Sequence, residues 1–121
     1  MRVSLNFLET PATPEEVEIA RFLRDFAASL GSAELATLEP FYHPDSPSGK
    51  RLRFQILETI DELRPQTHAY IFDKVLIRVI DHERATVFFQ RRTRPYAVAS
   101  WQTSYAALPL RKYRGAWRLL V

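Results

Sequence analysis

The stretch RFLRDFAASLGSAELATLEPFYHPD, residues 21–45, carries the reading of the fold. Phe22, Leu23, Phe26 and Leu30 continue a stripe that begins at Ile19, with offsets of i, i+3, i+4, i+7 and i+11. That spacing predicts one apolar helix face. Gly31 suits the left-handed stop of such a helix. Working back, Thr13 opens it: Pro14 fits the first helical position, and Glu16 stands three residues after Thr13, the capping-box spacing. Working forward, Ser32 caps a second, short helix, with Glu34 near its positive end and Leu35 and Leu38 facing inward. Pro40 disfavours helical geometry at Glu39 and keeps that helix short or distorted.

Pro44, Pro47 and Gly49 read as a loop. A third helix is predicted from about Lys50 to Leu63, with Leu52, Ile56, Ile60 and Leu63 as its stripe and Pro65 as its end. From His68 the period changes to two. Ala69, Ile71, Val75, Ile77 and Val79 share one parity, and Tyr70, Phe72, Leu76 and Ile80 hold the other, so both faces of this first long strand carry apolar side chains. Asp81–Arg84 is a polar turn. Ala85–Arg94 reads as a second strand, Tyr96–Tyr113 as a long, bulged third and Ala116–Val121 as a fourth, with Arg114-Gly115 as a hairpin turn. Three helices followed by antiparallel strands make an α+β layout. Met1–Ala12 holds the short apolar run Val3, Leu5, Phe7, Leu8 and is either an arm or an added edge strand. Residues 13–121 are read as a single domain.

Composition narrows the chemistry. A chain of 121 residues, 46% hydrophobic and 26% charged, is the size and balance of one globular domain. It has no cysteine, which excludes disulfides and thiolate metal sites. His43, His68 and His82 lack zinc-like spacing. Gly31, Gly49 and Gly115 are too far apart for a phosphate-binding loop, and no nucleophile elbow occurs. No apolar run approaches the ~20 residues of a membrane span, and no signal-like segment opens the chain. The expectation is a cytoplasmic protein with no cofactor, no metal and no membrane partner.

Three motifs, FLRDFAASLGSAEL (Phe22–Leu35), FYHPD (Phe41–Asp45) and RGAWRLL (Arg114–Leu120), in this order of elements, give the chain a likeness. It resembles the superfamily of nuclear transport factor 2, ketosteroid isomerase and the SnoaL-like polyketide cyclases, from about Glu15 onward. The resemblance implies a cone in which three N-terminal helices pack on a curved antiparallel sheet. It also implies an apolar pocket and a homodimer formed through the outer sheet face. Two positions depart from isomerase chemistry. Phe26 stands where the isomerases carry a hydrogen-bonding tyrosine. The strand that bears their aspartate base is shortened away by Ser46-Pro47-Ser48-Gly49, and Asp45 matches the exit motif rather than that base. An isomerase needs both groups.

The candidate site residues fall into sets. Tyr42, His43 and Asp45 form a polar cluster at a pocket mouth, with Asp45 orienting His43, or they simply end a helix and bond the loop. His68 opens the first long strand, and Asp73 on its apolar parity is a base if that face lines a pocket, or lies near a sheet edge beside an arginine. Gln90, Gln102, Trp101 and Tyr105, with Phe26 and Tyr42, are ligand-binding candidates, or the strand residues among them belong to a dimer surface. Arg91-Arg92-Thr93-Arg94 and Arg111-Lys112-Tyr113-Arg114 are basic clusters at strand ends. A net charge of +3 is weak for a nucleic-acid binder, so none is expected.

The leading expectation is a SnoaL-like domain that binds a small apolar ligand in the cone, or a dimerising module, without isomerase chemistry. The alternative is a cyclase-, dehydratase- or isomerase-type enzyme using Asp73, His68 or His43 as acid–base residues. A third reading is a module docking on an acidic partner through Arg91, Arg92, Arg94 and Arg111.

Overall fold

Thr13 starts the first helix as its sequence requires. In a computed structural model, which describes residues 3–29, 35–52, 68–95 and 100–121, its Oγ1 accepts the backbone N–H of Glu16 at 3.2 Å. Helix α1 then runs Pro14–Ser29 and buries Ile19, Ala20, Leu23 and Ala27. Helix α2, Leu35–Leu38, passes at once into a 3₁₀ turn over Glu39–Phe41 that carries Pro40 in its first positions. This is the distortion expected of a proline with no amide hydrogen to donate. The proposed helix end at Leu30–Gly31 and the cap at Ser32 lie outside the described residues.

The third helix differs at its start. Helix α3 begins at Pro47 and is described to Leu52, so Pro47–Gly49 is helical rather than loop. Ser46 is the reason: its Oγ accepts the N–H of Gly49 at 3.0 Å, and Pro47 sits where no amide hydrogen is needed. The stripe from Ile56 to Leu63 lies outside the described residues.

Among the described residues five strands form one sheet in the order β1 (Val3–Phe7), β2 (His68–Val79), β3 (Arg84–Pro95), β4 (Gln102–Tyr113) and β5 (Ala116–Leu119). The sheet is mixed rather than wholly antiparallel. Strands β2 to β5 are antiparallel neighbours, while β1 pairs with β2 in parallel, with Val3 opposite Tyr70 and Leu5 opposite Phe72. Arg114 (φ 51°) and Gly115 (φ 78°) make the expected β4–β5 hairpin. Two successive positive φ values give the turn whose twist matches the strands.

Strand β2 breaks its own alternation. Its register with β3 skips between Asp73 and Leu76, and Lys74 has φ 51°. One extra residue here lets Phe72 and Val75 both face the helices, because a bulge inverts the parity beyond it. The core face of β2 therefore changes sequence parity at the bulge, taking Phe72 before it and Val75, Ile77 and Val79 after it, while Ile71 and Leu76 lie on the other side. Asp73 falls before the bulge, so it lies with Ile71 on the sheet's other side. The β3–β4 pairing runs from Arg84↔Arg111 to Thr93↔Gln102 without a shift, and the described third long strand begins at Gln102; the predicted start over residues 96–99 lies outside the described residues.

The core forms where α1 crosses the concave face. Ile19, Ala20 and Leu23 meet Val75, Ile77, Ala85, Val87, Leu110, Trp117 and Leu119, with Leu5, Phe7, Phe22 and Phe26 packed around them. Each large apolar side chain fully buried there stabilises the fold by about 1.5–3 kcal/mol. At the β2–β3 turn the Asp81 carboxylate accepts the N–H groups of Glu83 and Arg84 at 2.9 Å and meets the Arg84 guanidinium at 2.7 Å. The Arg84 side-chain bond, then the Glu83 amide, hold Asp81 below the usual carboxylate range. Among the described residues no helix is long and apolar enough to cross a membrane.

Candidate functional site

The segment after α2 is docked on the edge of β5, and a cleft opens beside it. Tyr42 bridges Leu119, and the His43 N–H donates to the Leu119 carbonyl at 2.7 Å. Ser46 locks the arrangement. It is fully buried, its Oγ donates to the Val121 carbonyl, and its N–H donates to the His43 carbonyl at 2.9 Å. Gly49 allows the close approach, since a Cβ on it would stand 2.7 Å from the Tyr42 Cβ. Replacing Ser46 by alanine removes a helix cap and leaves the Val121 carbonyl one donor short. We expect Ser46→Ala to cost about 1–3 kcal/mol in urea unfolding. A change below a few tenths would mean the hydroxyl is not the lock.

The cleft has a volume of about 600 Å³ and is lined by Ala36, Glu39, Tyr42, His43, Lys50, Tyr113 and Arg118, with Pro40, Pro44 and Gly49. His43 is buried, 8% exposed. Its Nδ1 accepts the Asp45 N–H at 3.0 Å, so the neutral ring carries its hydrogen on Nε2. The Asp45 carboxylate is 3.8 Å from Nδ1 and mostly in solvent, so the backbone rather than the carboxylate orients the ring. Tyr113 stands edge-on to the imidazole, with ring centres 5.5 Å apart. Burial pushes the Tyr42 hydroxyl above its ordinary range, which keeps it a neutral phenol at physiological pH. Lys50 and Arg118 supply positive charge. Together these cations can attract an anionic head, opposed by Glu39 on the same lining, with an aromatic ring alongside.

The other predicted residues lie elsewhere. Phe26 packs against Phe41 and Tyr42, with ring centres 5.4 and 6.3 Å away, inside the helix-covered interior. Phe72 and Phe89 meet at 5.3 Å on the sheet side of that interior. His68 begins β2 opposite Pro95. Asp73 is paired with Gln90, and Gln90 with Tyr105, on the outer sheet face, where Gln90 Nε2 donates to the Tyr105 hydroxyl at 3.4 Å. Trp101 is approached by Arg92 and Arg94, whose guanidinium carbons lie 5.1 and 5.0 Å from its ring centre. Gln102 is exposed opposite Thr93. Tyr42 and His43 thus meet in the cleft, but Asp73 lies three strands from β5, about 14 Å across the sheet. Tyr113, Arg118 and Ser46 are additions that sequence reasoning did not join to this site. Ser-Pro-x-Gly was the legible sign of the Ser46 cap. The meeting of Tyr113 with His43 has no local sign, because the two are brought together only by β5.

No protein-family model and no curated protein matches the sequence. Solved structures do match in shape. An NTF-2-like protein of unknown function from Shewanella oneidensis superposes with a TM-score of 0.65 at 11% identity, over 88% of this chain and 94% of that one. The beta subunit of benzoate 1,2-dioxygenase from Burkholderia mallei gives 0.61 at 14% identity, covering 90% and 88%. A ketosteroid isomerase-like protein from Erwinia carotovora gives 0.60 at 14% identity, covering 90% and 93%. A curled five-stranded sheet with helices on its concave side, matched by these structures over nearly their whole length, is the nuclear transport factor 2-like cone fold.

Proposed function

We propose that this chain, as a single domain over residues 13–121 with β1 as an added edge, is a cytoplasmic binding protein for a small aromatic anion. The ligand sits in the cleft beside β5 rather than deep in the cone. One observation carries this: a cleft of about 600 Å³ sets Lys50, Arg118, the buried His43 and Tyr113 around one space. That volume suits a drug-sized or smaller molecule. The apolar ligand expected in the cone has less support, because aromatic contacts among Phe22, Phe26, Phe41 and Tyr42 occupy that region. Of the residues of the acid–base alternative, His43 lines the cleft, Asp73 is on another surface, and His68 begins β2.

The test uses benzoate and phenyl phosphate as probes, followed by amide shifts in two-dimensional NMR. Shifts should gather at His43, Lys50, Tyr113 and Arg118, and Lys50→Ala should weaken binding about 5-fold, the size of one solvent-exposed charge pair. Shifts spread over the surface, or none at millimolar probe, would remove the proposal.

A further inference from the structure

The net charge of +3 conceals how the arginines are distributed. Cross-strand partners share a face, and the register arranges the outer side of the sheet in rungs. At one end Arg111 stands between Arg84 and Arg118. Next come Arg78, Thr86 and Pro109, then Leu76, Phe88 and Ala107. Asp73, Gln90 and Tyr105 follow, then Ile71, Arg92 and Thr103, and finally Arg94 with Trp101 beside it. With Arg84 set aside because it is paired with Asp81, this face holds five arginines. Among the described residues its one acidic side chain is Asp73, while Glu9 reaches Arg78 from the rim at 3.9 Å. In the middle, Tyr105 is 78% exposed and Phe88 45%. Two cationic ends thus lie about 34 Å apart along β4, with open aromatic rings between them.

A second copy of the chain fits this surface poorly. A two-fold interface pairs a patch with itself. Whether the axis runs along or across the strands, arginine meets arginine, because both ends are basic. An acidic protein would satisfy the charge but gives no reason for a nearly naked Tyr105 on an open sheet. A strand of unpaired bases satisfies both, through phosphates on guanidinium groups and base faces on aromatic rings. Arg92 and Arg94 already place their guanidinium groups over the Trp101 ring, so this sheet face brings cations and an aromatic ring together.

We infer that the outer face of the sheet binds single-stranded nucleic acid; it shares Arg118 with the cleft, so the test variants are placed at Tyr105 and Arg111, which do not line the cleft. The phosphates lie over the Arg111–Arg118 and Arg92–Arg94 ends, and bases stack on Tyr105 and Phe88.

Fluorescence anisotropy of a labelled oligothymidine of about 12 nucleotides tests this, within the usual range of site sizes. With three or four phosphates neutralised, a fourfold rise in salt should lower affinity about 20- to 50-fold. Tyr105→Ala should weaken binding about 5-fold or more. Arg111→Ser should reduce the salt slope by about 0.7. Both side chains are exposed, so circular dichroism should show unaltered folding. Arg21→Ser, on the exposed side of α1, is the control and should leave binding unchanged. The inference is overturned by absence of binding at low salt, or by Tyr105→Ala binding like wild type. Polyglutamate competing equally well in both proteins would overturn it in favour of an acidic partner. A concentration-dependent dimer abolished by Tyr105→Arg would overturn it in favour of a second copy.

Discussion

Trp117→Ala is expected to lower the free energy of unfolding by about 3–5 kcal/mol, the range for truncating a buried aromatic side chain. Trp117 is 2% exposed and packs in the cluster of Ile19, Leu23, Val87, Leu110 and Leu119 that joins α1 to the sheet. The indole is too large for its neighbours to refill the space, so a cavity penalty adds to the lost burial. Against a total of about 5–15 kcal/mol for a domain of this size, that is enough to leave part of the chain unfolded at ambient temperature. The indole N–H finds no hydrogen-bond partner, so Trp117→Phe loses volume but also relieves an unsatisfied donor, and should cost less, about 1–2 kcal/mol. Urea titration followed by circular dichroism measures both, with Trp101 fluorescence as a second probe of the sheet. If Trp117→Ala costs less than 1 kcal/mol, α1 does not close over β5 as described.

The second large effect is at Gly49. By helix propensity alone, Gly49→Ala should stabilise α3 by about 1 kcal/mol. The structure reverses the sign. The new methyl would stand 2.7 Å from the Tyr42 Cβ and 3.2 Å from its Cγ, far inside contact distance. The Cβ cannot swing away, because Tyr42 is bridged to Leu119 and the His43 N–H is bonded to the Leu119 carbonyl. The net result should be a loss of about 1–3 kcal/mol, the usual cost of overpacking. Binding of benzoate in the cleft should fall with it, since the segment that must move carries His43. A double variant sharpens the test. Tyr42→Ala keeps the offending Cβ and should not rescue Gly49→Ala, whereas Tyr42→Gly removes it and should. Rescue by both would place the clash on the ring instead, and a stabilised Gly49→Ala would mean that α3 does not lie on Tyr42.

What the sequence by itself determined is local. Thr13-Pro14-x-Glu16 and the stripe from Ile19 to Phe26 are enough to start α1 and choose its buried face, because caps and a 3.6-residue period are properties of neighbouring residues. Pro40 ends α2 in the same way, and Arg114-Gly115 makes its own turn. Those marks, with the strand-rich second half, are enough for an α+β layout, and the cone was what the likeness of Phe22–Leu35, Phe41–Asp45 and Arg114–Leu120 to the superfamily implied. The bulge at Lys74 was not legible. An extra residue in a strand leaves no local mark when both parities are apolar, and only pairing with β3 reveals which of Phe72, Asp73 and Val75 turns inward. Asp73 therefore looked like a core-face carboxylate and is an outer-face one. The cleft and the arginine face were hidden for the same reason. His43 meets Tyr113, and Arg111 stands between Arg84 and Arg118, only because segments apart in the chain are brought side by side. Register is a property of the assembled sheet, and no stretch of sequence contains it.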